Sequence, residues 1–267
     1  MLESDFQKTV VKEHFTSPMA CYDALVHRYG GGGGASEDGR HYLFRGEARY
    51  HPTSTPGTYR ALTADYSIGV KFARIDATGL FVDDYEETGG DPDIGEALAQ
   101  HYLSTSDGLD FSSSPGVALA FALDEKDDDA PRSAYIAVLN RKLADSSDRF
   151  SLHDLRSEVA ARRPVHQCGF VAVHHAGNFV DMKEAECRRE LGLIWYSFAV
   201  ASGDVSRNRH SSAPTLDYLY DIRDDLWAAR MIQHLNDLVS NPSSQWGEEG
   251  LRHLIGARDA LLSLTGY

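Results

Sequence analysis

The stretch that most constrains this fold is residues 114–123, Ser-Pro-Gly-Val-Ala-Leu-Ala-Phe-Ala-Leu. Ser114 can cap a helix, and Pro115 suits the first helical position, where its missing N–H would have no partner in any case. A helix that has no polar face must be buried. We therefore predict a helix enclosed by the rest of the chain, with its N-terminus beside the polar residues 104–113.

The polar residues in front of this helix form a candidate ligand site. They include Asp110, Ser112 and Ser113, and they follow residues 96–103, which have the pattern of a helix end. The free N–H groups and partial positive charge of a helix N-terminus favour anions such as phosphate. An ordinary turn-like loop with a serine cap explains the same residues, and the sequence leaves both interpretations open.

Composition and charge indicate a globular protein with an acidic surface. The chain has 267 residues, of which 42% are hydrophobic, so one large domain or two small ones can enclose a core. Its formal net charge is −14, which argues against non-specific binding to nucleic acid. A locally basic surface remains open, with candidates at Arg156, Arg162, Arg163, Arg188 and Arg189.

Cysteine usage and hydropathy predict a cytoplasmic protein that has no membrane partner. The three cysteines are not closely spaced, which is typical of a reducing compartment. The first residues contain no apolar signal core. No stretch reaches the roughly 18 apolar residues that a membrane-spanning helix needs.

The order of apolar patterns predicts an α+β fold with a central mixed or antiparallel sheet and packed helices. We predict strands at 41–48, 133–140, 168–175 and 192–200. Short helices are expected within 2–15 and from Ser17-Pro18, a longer helix over 60–81, and helices from Thr215 onward. Loops are expected at 49–59, 82–95 and 124–132. The chain then divides into a helical segment with a Gly-rich loop at 1–34, a core at 35–205 and a helical extension at 206–267.

Arg45 is the first candidate functional residue. It follows Tyr42, Leu43 and Phe44 in a run apolar enough to be buried. A buried guanidinium needs a partner, because an unpaired buried charge is costly. That partner is either a structural carboxylate or an anionic ligand, and Gly46 would let another backbone or a ligand approach closely.

Several common catalytic signatures are absent from the sequence. There is no Gly-x-Ser-x-Gly elbow, Walker A loop, His-Glu-x-x-His or Cys-x-x-Cys motif. The histidines and cysteines match no common zinc spacing, so we predict no metal site. A nuclease would have to rely on His101 and His166, and it is the weakest alternative.

Four motifs, taken in order, resemble the FRG domain family. They are Phe44-Arg45-Gly46, then Gln100-His101-Tyr102, then Asp110 with Ser114-Pro115 and the following apolar helix, then Arg163-Pro164 with Gln167 and Gly169. The resemblance covers about residues 41–175. Two departures stand out: Asp107 occupies the place of the family's usual arginine, and Phe111-Ser112 replaces its Trp-Thr.

The same layout is similar to the arginine–serine–glutamate class of ADP-ribosyltransferases. This resemblance implies that Arg45 holds a phosphate of NAD or orients the nicotinamide-side ribose. It further implies that Ser112-Ser113-Ser114 supports the nicotinamide ribose and that Gln167 forms the late turn. It implies catalytic roles for Arg45, Gln167 and an acidic residue. The class usually has a glutamate where Gly169 stands. Glu158 is the substitute nearest in sequence, and the alternatives are Glu184, Glu186, Glu190 and Asp110.

The residues that the resemblance implies for NAD binding are Arg45, Gly46, Tyr102, Asp110, Ser112, Ser114 and Gln167. It further implies an ADP-ribosyltransferase-like fold and a mono-ADP-ribosyltransferase that consumes NAD as substrate. Such an enzyme would be a toxin or antiviral (anti-phage) defence effector that modifies DNA, RNA or protein and is neutralised by an antitoxin. The alternative is a non-catalytic FRG module that holds a nucleotide or a partner in an Arg45–Asp110 cleft.

Overall fold

The computed structural model describes residues 1–29, 41–53, 67–103, 108–124, 131–158, 160–174, 181–201 and 214–265. Several predicted features lie outside these residues. They are the Gly-rich loop, the first part of the helix predicted at 60–81, most of the loop predicted at 124–132, and Asp107.

Helices and strands alternate along the described chain. The first half contains α1 (Glu3–Thr9), β1 (Val11–Phe15), α2 (Pro18–Tyr29), β2 (Tyr42–Glu47), α3 (Ile68–Glu87), α4 (Pro92–Leu103), β3 (Gly108–Ser112) and α5 (Pro115–Leu123). The middle contains β4 (Arg132–Asn140), α6 (Arg141–Asp145), β5 (Phe150–Asp154), a 3-10 turn (Leu155–Ser157), α7 (Arg162–His166), β6 (Gly169–His174), α8 (Ala185–Glu190) and β7 (Ile194–Val200). The last elements are α9 (Leu216–Leu219), α10 (Leu226–Ser240) and α11 (Gly247–Thr265).

Seven strands form one mixed sheet in the order β1-β7-β4-β2-β3-β6-β5. Strand β1 pairs with β7 in parallel, whereas the β7–β4, β4–β2 and β2–β3 pairs are antiparallel. Strand β4 has a neighbour on each side and is buried from Ala134 to Leu139, as its continuous apolar run predicts. The predicted α+β class, with a mixed sheet and packed helices, is confirmed.

The chain forms two compact units, each assembled from three separate stretches. Unit 1 contains Met1–Ser54, Asp110–Leu152 and Gln167–Leu219. Unit 2 contains Thr55–Leu109, His153–His166 and Tyr220–Tyr267. The division into three consecutive segments stays a prediction.

In unit 1, helices α2 and α5 cover one face of the sheet, and helix α5 is buried as predicted. Ser114 is its N-cap, with the Oγ atom accepting a hydrogen bond from the Val117 N–H at 3.4 Å, and Pro115 opens the first turn. Apart from Phe121, every residue of the helix is buried. Its core partners include Phe44, Ile136 and Phe198.

Unit 2 contains a group of packed helices, α3, α4, α10 and α11. Its core includes an aromatic cluster in which the rings of Phe81 and Tyr85 lie 5.4 and 5.0 Å from that of Trp227. Within the described residues, no helix combines the length and apolar composition that crossing a membrane requires.

Some local predictions were wrong, and the reasons are physical. Residues 82–87 continue helix α3 instead of forming a loop, because acidic side chains are tolerated on its exposed face. Residues 108–112 form strand β3 instead of a turn, because it pairs with β2 through Phe44 and Ser112.

Two further predictions were incomplete. The region 2–15 contains helix α1 and then strand β1, which pairs with β7. The short helix α7 precedes the turn at Gln167 and Cys168. The helical region predicted from Thr215 onward begins with the separate helices α9 and α10, because Asp225 caps α10 by accepting hydrogen bonds from the N–H groups of Trp227 and Ala228.

Gly46 allows β2 and α5 to approach closely. A Cβ atom at this position would overlap the carbonyl oxygen of Ala118 and lie 2.7 Å from the nitrogen of Ala122. The close approach that the sequence predicted is therefore made by the backbone of α5.

We predict that Gly46→Ala lowers the free energy of unfolding by about 3 kcal/mol, because the added methyl group meets backbone that cannot rotate away. Urea denaturation followed by tryptophan fluorescence measures the effect. Gly256→Ala, in helix α11, is the matched control: its Cβ meets nothing within 4 Å. The control should gain up to about 1 kcal/mol. Equal stability of both variants would contradict the close packing at Gly46.

Candidate functional site

Arg45 lies on β2 with only 14% of its side chain exposed. Its Nη1 donates a hydrogen bond to the carbonyl oxygen of Asp110 at 3.0 Å, and its Nε lies 3.7 Å from Oε1 of Glu47. Within the described residues, the Nε atom donates no hydrogen bond. Of the two partners that the sequence left open, a structural carboxylate is therefore present, although its contact with Arg45 is long.

Asp110 contacts Arg45 through its main chain. The residue lies on β3, half-buried, and its carbonyl oxygen accepts the Arg45 hydrogen bond. The hydrogen bond to Arg45 uses the peptide group of Asp110 and not its carboxylate. Changing the Asp110 side chain would therefore leave this hydrogen bond in place.

Ser112 joins β3 to the turn at Gln167. Its hydroxyl donates to the main-chain carbonyl of Gln167 at 2.7 Å and accepts from the Ser114 N–H at 3.0 Å. The next residue, Ser113, donates its N–H to the carbonyl of Cys168 at 3.1 Å. The serine segment and the late turn, separated by more than 50 residues, are thus brought together in unit 1.

The turn itself is held by its own side chain. Gln167 is buried, and its Nε2 donates to the carbonyl of Leu219 at 3.1 Å. Cys168 follows with φ 49°, the left-handed conformation that a tight reversal before β6 requires. The side chains of Gln167 and Ser112 therefore both form hydrogen bonds to main-chain groups of unit 1.

Tyr102 and Glu158 belong to unit 2. The Tyr102 hydroxyl lies 3.0 Å from both carboxylate oxygens of Asp225, and burial, followed by the charge of Asp225, raises the pKa of Tyr102 well above its usual value. Burial, followed by the charge of Glu158, raises the pKa of Tyr85 to about 12. Each predicted residue therefore interacts with a neighbour in its own unit, and their roles toward NAD stay predictions.

Lys183 was missed by sequence reasoning. It is only 3% exposed, and its Nζ donates hydrogen bonds to Oε2 of Glu47 at 2.8 Å and to the carbonyl of His51 at 2.6 Å. A lysine between Asp181 and Glu184 has the pattern of a charged surface. The available signal was Glu47, which lies two residues beyond Arg45 and therefore on the same face of the strand.

Three aromatic rings surround the Lys183 ammonium group. Its Nζ lies 5.2 Å from the ring centre of Phe6 and 5.0 Å from those of Tyr50 and Trp195. Ring faces attract cations, and the attraction strengthens where water is excluded. Burial nevertheless lowers the pKa of Lys183, while the charge of Glu47 opposes that shift.

Glu47 is shared between two cations, since one carboxylate oxygen faces Lys183 and the other faces Arg45. The Lys183–Glu47 distance of 2.8 Å is 0.9 Å shorter than the Arg45–Glu47 distance of 3.7 Å. Arg45 is therefore the cation whose charge is less fully compensated by Glu47, which suits it to bind an anion.

A cleft of 920 Å³ lies elsewhere in unit 1. It is lined by parts of α1, by the start of α2 and by residues that include Tyr50 and Arg132. None of the residues predicted to bind NAD lines this cleft.

The other candidate residues make local contacts. Arg156 pairs with Asp154 at 2.6 Å and Arg162 with Asp224 at 3.6 Å, both in unit 2. In unit 1, the Nε of Arg188 donates to the carbonyl of Lys183 at 3.1 Å. The proposed arginine cluster is therefore divided between the units.

Apart from Asp110 on β3, the alternative acidic residues lie along one segment of unit 1. Glu184 flanks the N-terminus of α8, while Glu186 and Glu190 pair with Arg149 at 3.2 and 3.0 Å. In the part of the chain that the structure describes, no three His, Cys, Asp or Glu side chains cluster closely enough to hold a metal ion.

No family model, curated protein or solved structure matches this chain.

We predict that Lys183→Met destabilises unit 1 by about 3–5 kcal/mol, because it leaves Glu47 buried without its closer cation. Adding Glu47→Gln to that variant should restore part of the loss, since the remaining buried charge is removed. Urea denaturation provides the free energies of unfolding.

Lys142→Met is the matched control, because Lys142 is an exposed lysine in the same unit. Its expected change is within about 0.5 kcal/mol. A Lys183→Met variant as stable as this control would show that the buried pair contributes little to folding.

Proposed function

We propose that this chain is an FRG-type protein with an ADP-ribosyltransferase-like fold that transfers ADP-ribose from NAD to a macromolecule. The observation that carries the proposal is the convergence in unit 1 of three segments that are distant in sequence. Strand β2 brings Arg45, strand β3 brings Ser112, and the turn before β6 brings Gln167. The resemblance to the arginine–serine–glutamate class requires these three segments. Because Ser112 pairs with Phe44, its side chain lies on the α5 side of the sheet, whereas the Arg45 side chain points to the other side.

In the proposed reaction, Arg45 anchors the diphosphate of NAD. Its Nη1 rests on the Asp110 carbonyl, so the guanidinium is held in one orientation before the substrate arrives. A planar guanidinium pairs bidentately with phosphate oxygens, which a lysine cannot do. The long contact with Glu47 leaves Arg45 able to form such a pair.

The bond that breaks joins C1′ of the ribose to the ring nitrogen of nicotinamide. Nicotinamide leaves as a neutral molecule with the bonding electron pair, and the ribose acquires oxocarbenium character. An oxygen or nitrogen of the acceptor then bonds to C1′ and releases its proton to solvent. In this scheme Gln167, anchored through Nε2, accepts a hydrogen bond from a ribose hydroxyl through Oε1.

The proposed acceptor is DNA, RNA or protein. A toxin or defence effector of this kind would need a neutralising antitoxin in the cell that produces it. Both partners follow from the resemblance.

A second candidate is a nucleotide-binding module without turnover. Gly169 begins β6 where the class usually has a glutamate, and the carboxylate of Glu47 beside Arg45 is held by Lys183. Ser112 and Gln167 also serve the main chain of unit 1. These contacts are the observations that support the second candidate.

We predict that the chain, incubated with labelled NAD and with total cellular nucleic acid and protein, releases nicotinamide and labels one acceptor class. Arg45→Lys should lower the release at least tenfold, because a charged hydrogen bond to phosphate contributes about 1.5–3 kcal/mol. Arg149→Lys is the matched control, since Arg149 is a more exposed arginine of the same unit. This control should react like the unaltered chain.

Calorimetric titration with NAD separates the two candidates. Binding that Arg45→Lys weakens, without nicotinamide release, supports the non-catalytic module. If the chain neither releases nicotinamide nor binds NAD, both candidate functions are overturned.

A further inference from the structure

Helix α3 is apolar on two opposite faces. One face is buried in unit 2 through Val70, Ala73, Ala77, Phe81 and Tyr85. On the other side, Ile68 is 71% exposed, Ile75 63% and Phe72 38%. A helix that is apolar on both sides is typical of an element covered on both sides, and here the second cover is absent from the described part of the single chain.

The exposed apolar positions follow the spacing of a helix-pairing seam. Ile68, Phe72, Ile75, Gly79 and Val82 are separated by four, three, four and three residues. This alternation keeps one line of a helix facing a partner helix. We call these five residues the α3 seam. A Cβ atom at Gly79 would meet nothing within 4 Å, so the seam has an open hollow at its fourth position.

We propose that the α3 seam is the docking surface for a second copy of this chain, with the two α3 helices antiparallel. Four of its five positions, Phe72, Ile75, Gly79 and Val82, are symmetric about residue 77, so this part of the seam is self-complementary in that direction. Ile75 of each copy then lies opposite Gly79 of the other, and Phe72 lies opposite Val82. The large side chain of Ile75 thus enters the hollow over Gly79 twice in one interface.

The charges of α3 favour the antiparallel direction. The first turn contains no acidic residue and the last turn no basic one, so nothing in these turns offsets the helix dipole. The exposed residues Asp83, Glu86 and Glu87 make the C-terminal end acidic. In an antiparallel pair, Glu86 of one copy lies opposite Ile68 in the first turn of the other, where free N–H groups favour an anion.

The parallel direction has no such complementarity. It would bring the acidic ends of two helices together and align their dipoles. The size of the seam also sets the expected strength. A helix of 20 residues is about 30 Å long, so one helix pair forms a small interface, and we expect a dissociation constant of about 1–10 μM.

Sedimentation equilibrium of the full chain tests the proposal. The chain of 29.5 kDa should show a concentration-dependent mass that approaches twice this value. Ile75→Asp should raise the dissociation constant at least tenfold, and Glu86→Lys should raise it by a smaller factor. Leu143→Asp is the matched control. Leu143, like Ile75, is a branched aliphatic residue with an exposed side chain (42% exposed), but it belongs to helix α6 of unit 1.

Circular dichroism establishes that each variant is folded. A chain that stays monomeric up to about 100 μM, well above the expected dissociation constant, overturns the proposal. The proposal is also overturned if Leu143→Asp and Ile75→Asp weaken the dimer equally, or if neither variant weakens it.

Cysteine cross-linking tests the direction. A mixture of Ile75→Cys chains and Gly79→Cys chains should form the mixed disulfide in preference to either symmetric one, because residues 75 and 79 face each other only in the antiparallel register. Unaltered chain measures the background from the three natural cysteines. Preferential 75–75 cross-links would indicate a parallel pair and would overturn the proposed direction.

Discussion

The close contact between helix α5 and strand β2 determines much of the arrangement of unit 1. The helix has no polar face and must be enclosed, and Gly46 lets the strand approach its backbone. Ser114, which caps the helix, follows β3 directly, so docking the helix also brings β3 alongside β2. Because β3 lies beside β2, the carbonyl of Asp110 is within reach of the hydrogen bond from Arg45.

Strand alternation explains why charged residues accompany this apolar contact. Phe44 and Gly46 face α5, so Arg45 and Glu47 point to the opposite side of the sheet. On that side Lys183 donates a hydrogen bond to Glu47, and three aromatic rings lie about 5 Å from its ammonium group. Removing charges from water is costly, and this group is tolerated because each charge has a close partner or a hydrogen bond. A buried charge network beside a candidate anion site is thus built from alternate residues of one strand.

The predictable parts of the fold were those encoded locally. The apolar helix with its Ser-Pro start and the strands around Arg45, Val138 and Trp195 follow from runs of side chains and from caps. Strand β3 was missed because its five residues are stabilised by pairing with β2, which the local sequence does not reveal. The acidic end of α3 was mistaken for a loop because composition does not distinguish an exposed helical face from a solvated turn.

The candidate site stays a prediction. The motif order singled out Arg45, Ser112 and Gln167, and the segments that contain them lie close together in unit 1. Glu47 signalled that a second cation was needed on this face, but it did not identify Lys183, which lies 136 residues away in the sequence. The details of bonding also lay beyond the sequence: the Asp110 contact is made by a carbonyl, and the Gln167 side chain is tied to Leu219.

These details bear directly on function. Ser112 and Gln167 hold the framework together through main-chain partners, so their first effect is to fix where Arg45 lies relative to the turn. Arg45 differs from them, because its Nε is buried and donates no hydrogen bond within the described residues. A guanidinium that lacks one hydrogen bond and is held rigidly is suited to an anionic ligand. Its side chain is already ordered in the folded protein, so binding does not have to supply the entropy of ordering it. In the proposed site, Arg45 is therefore the residue suited to a phosphate group, and neither Ser112 nor Gln167 carries the negative charge that would stabilise an oxocarbenium ion.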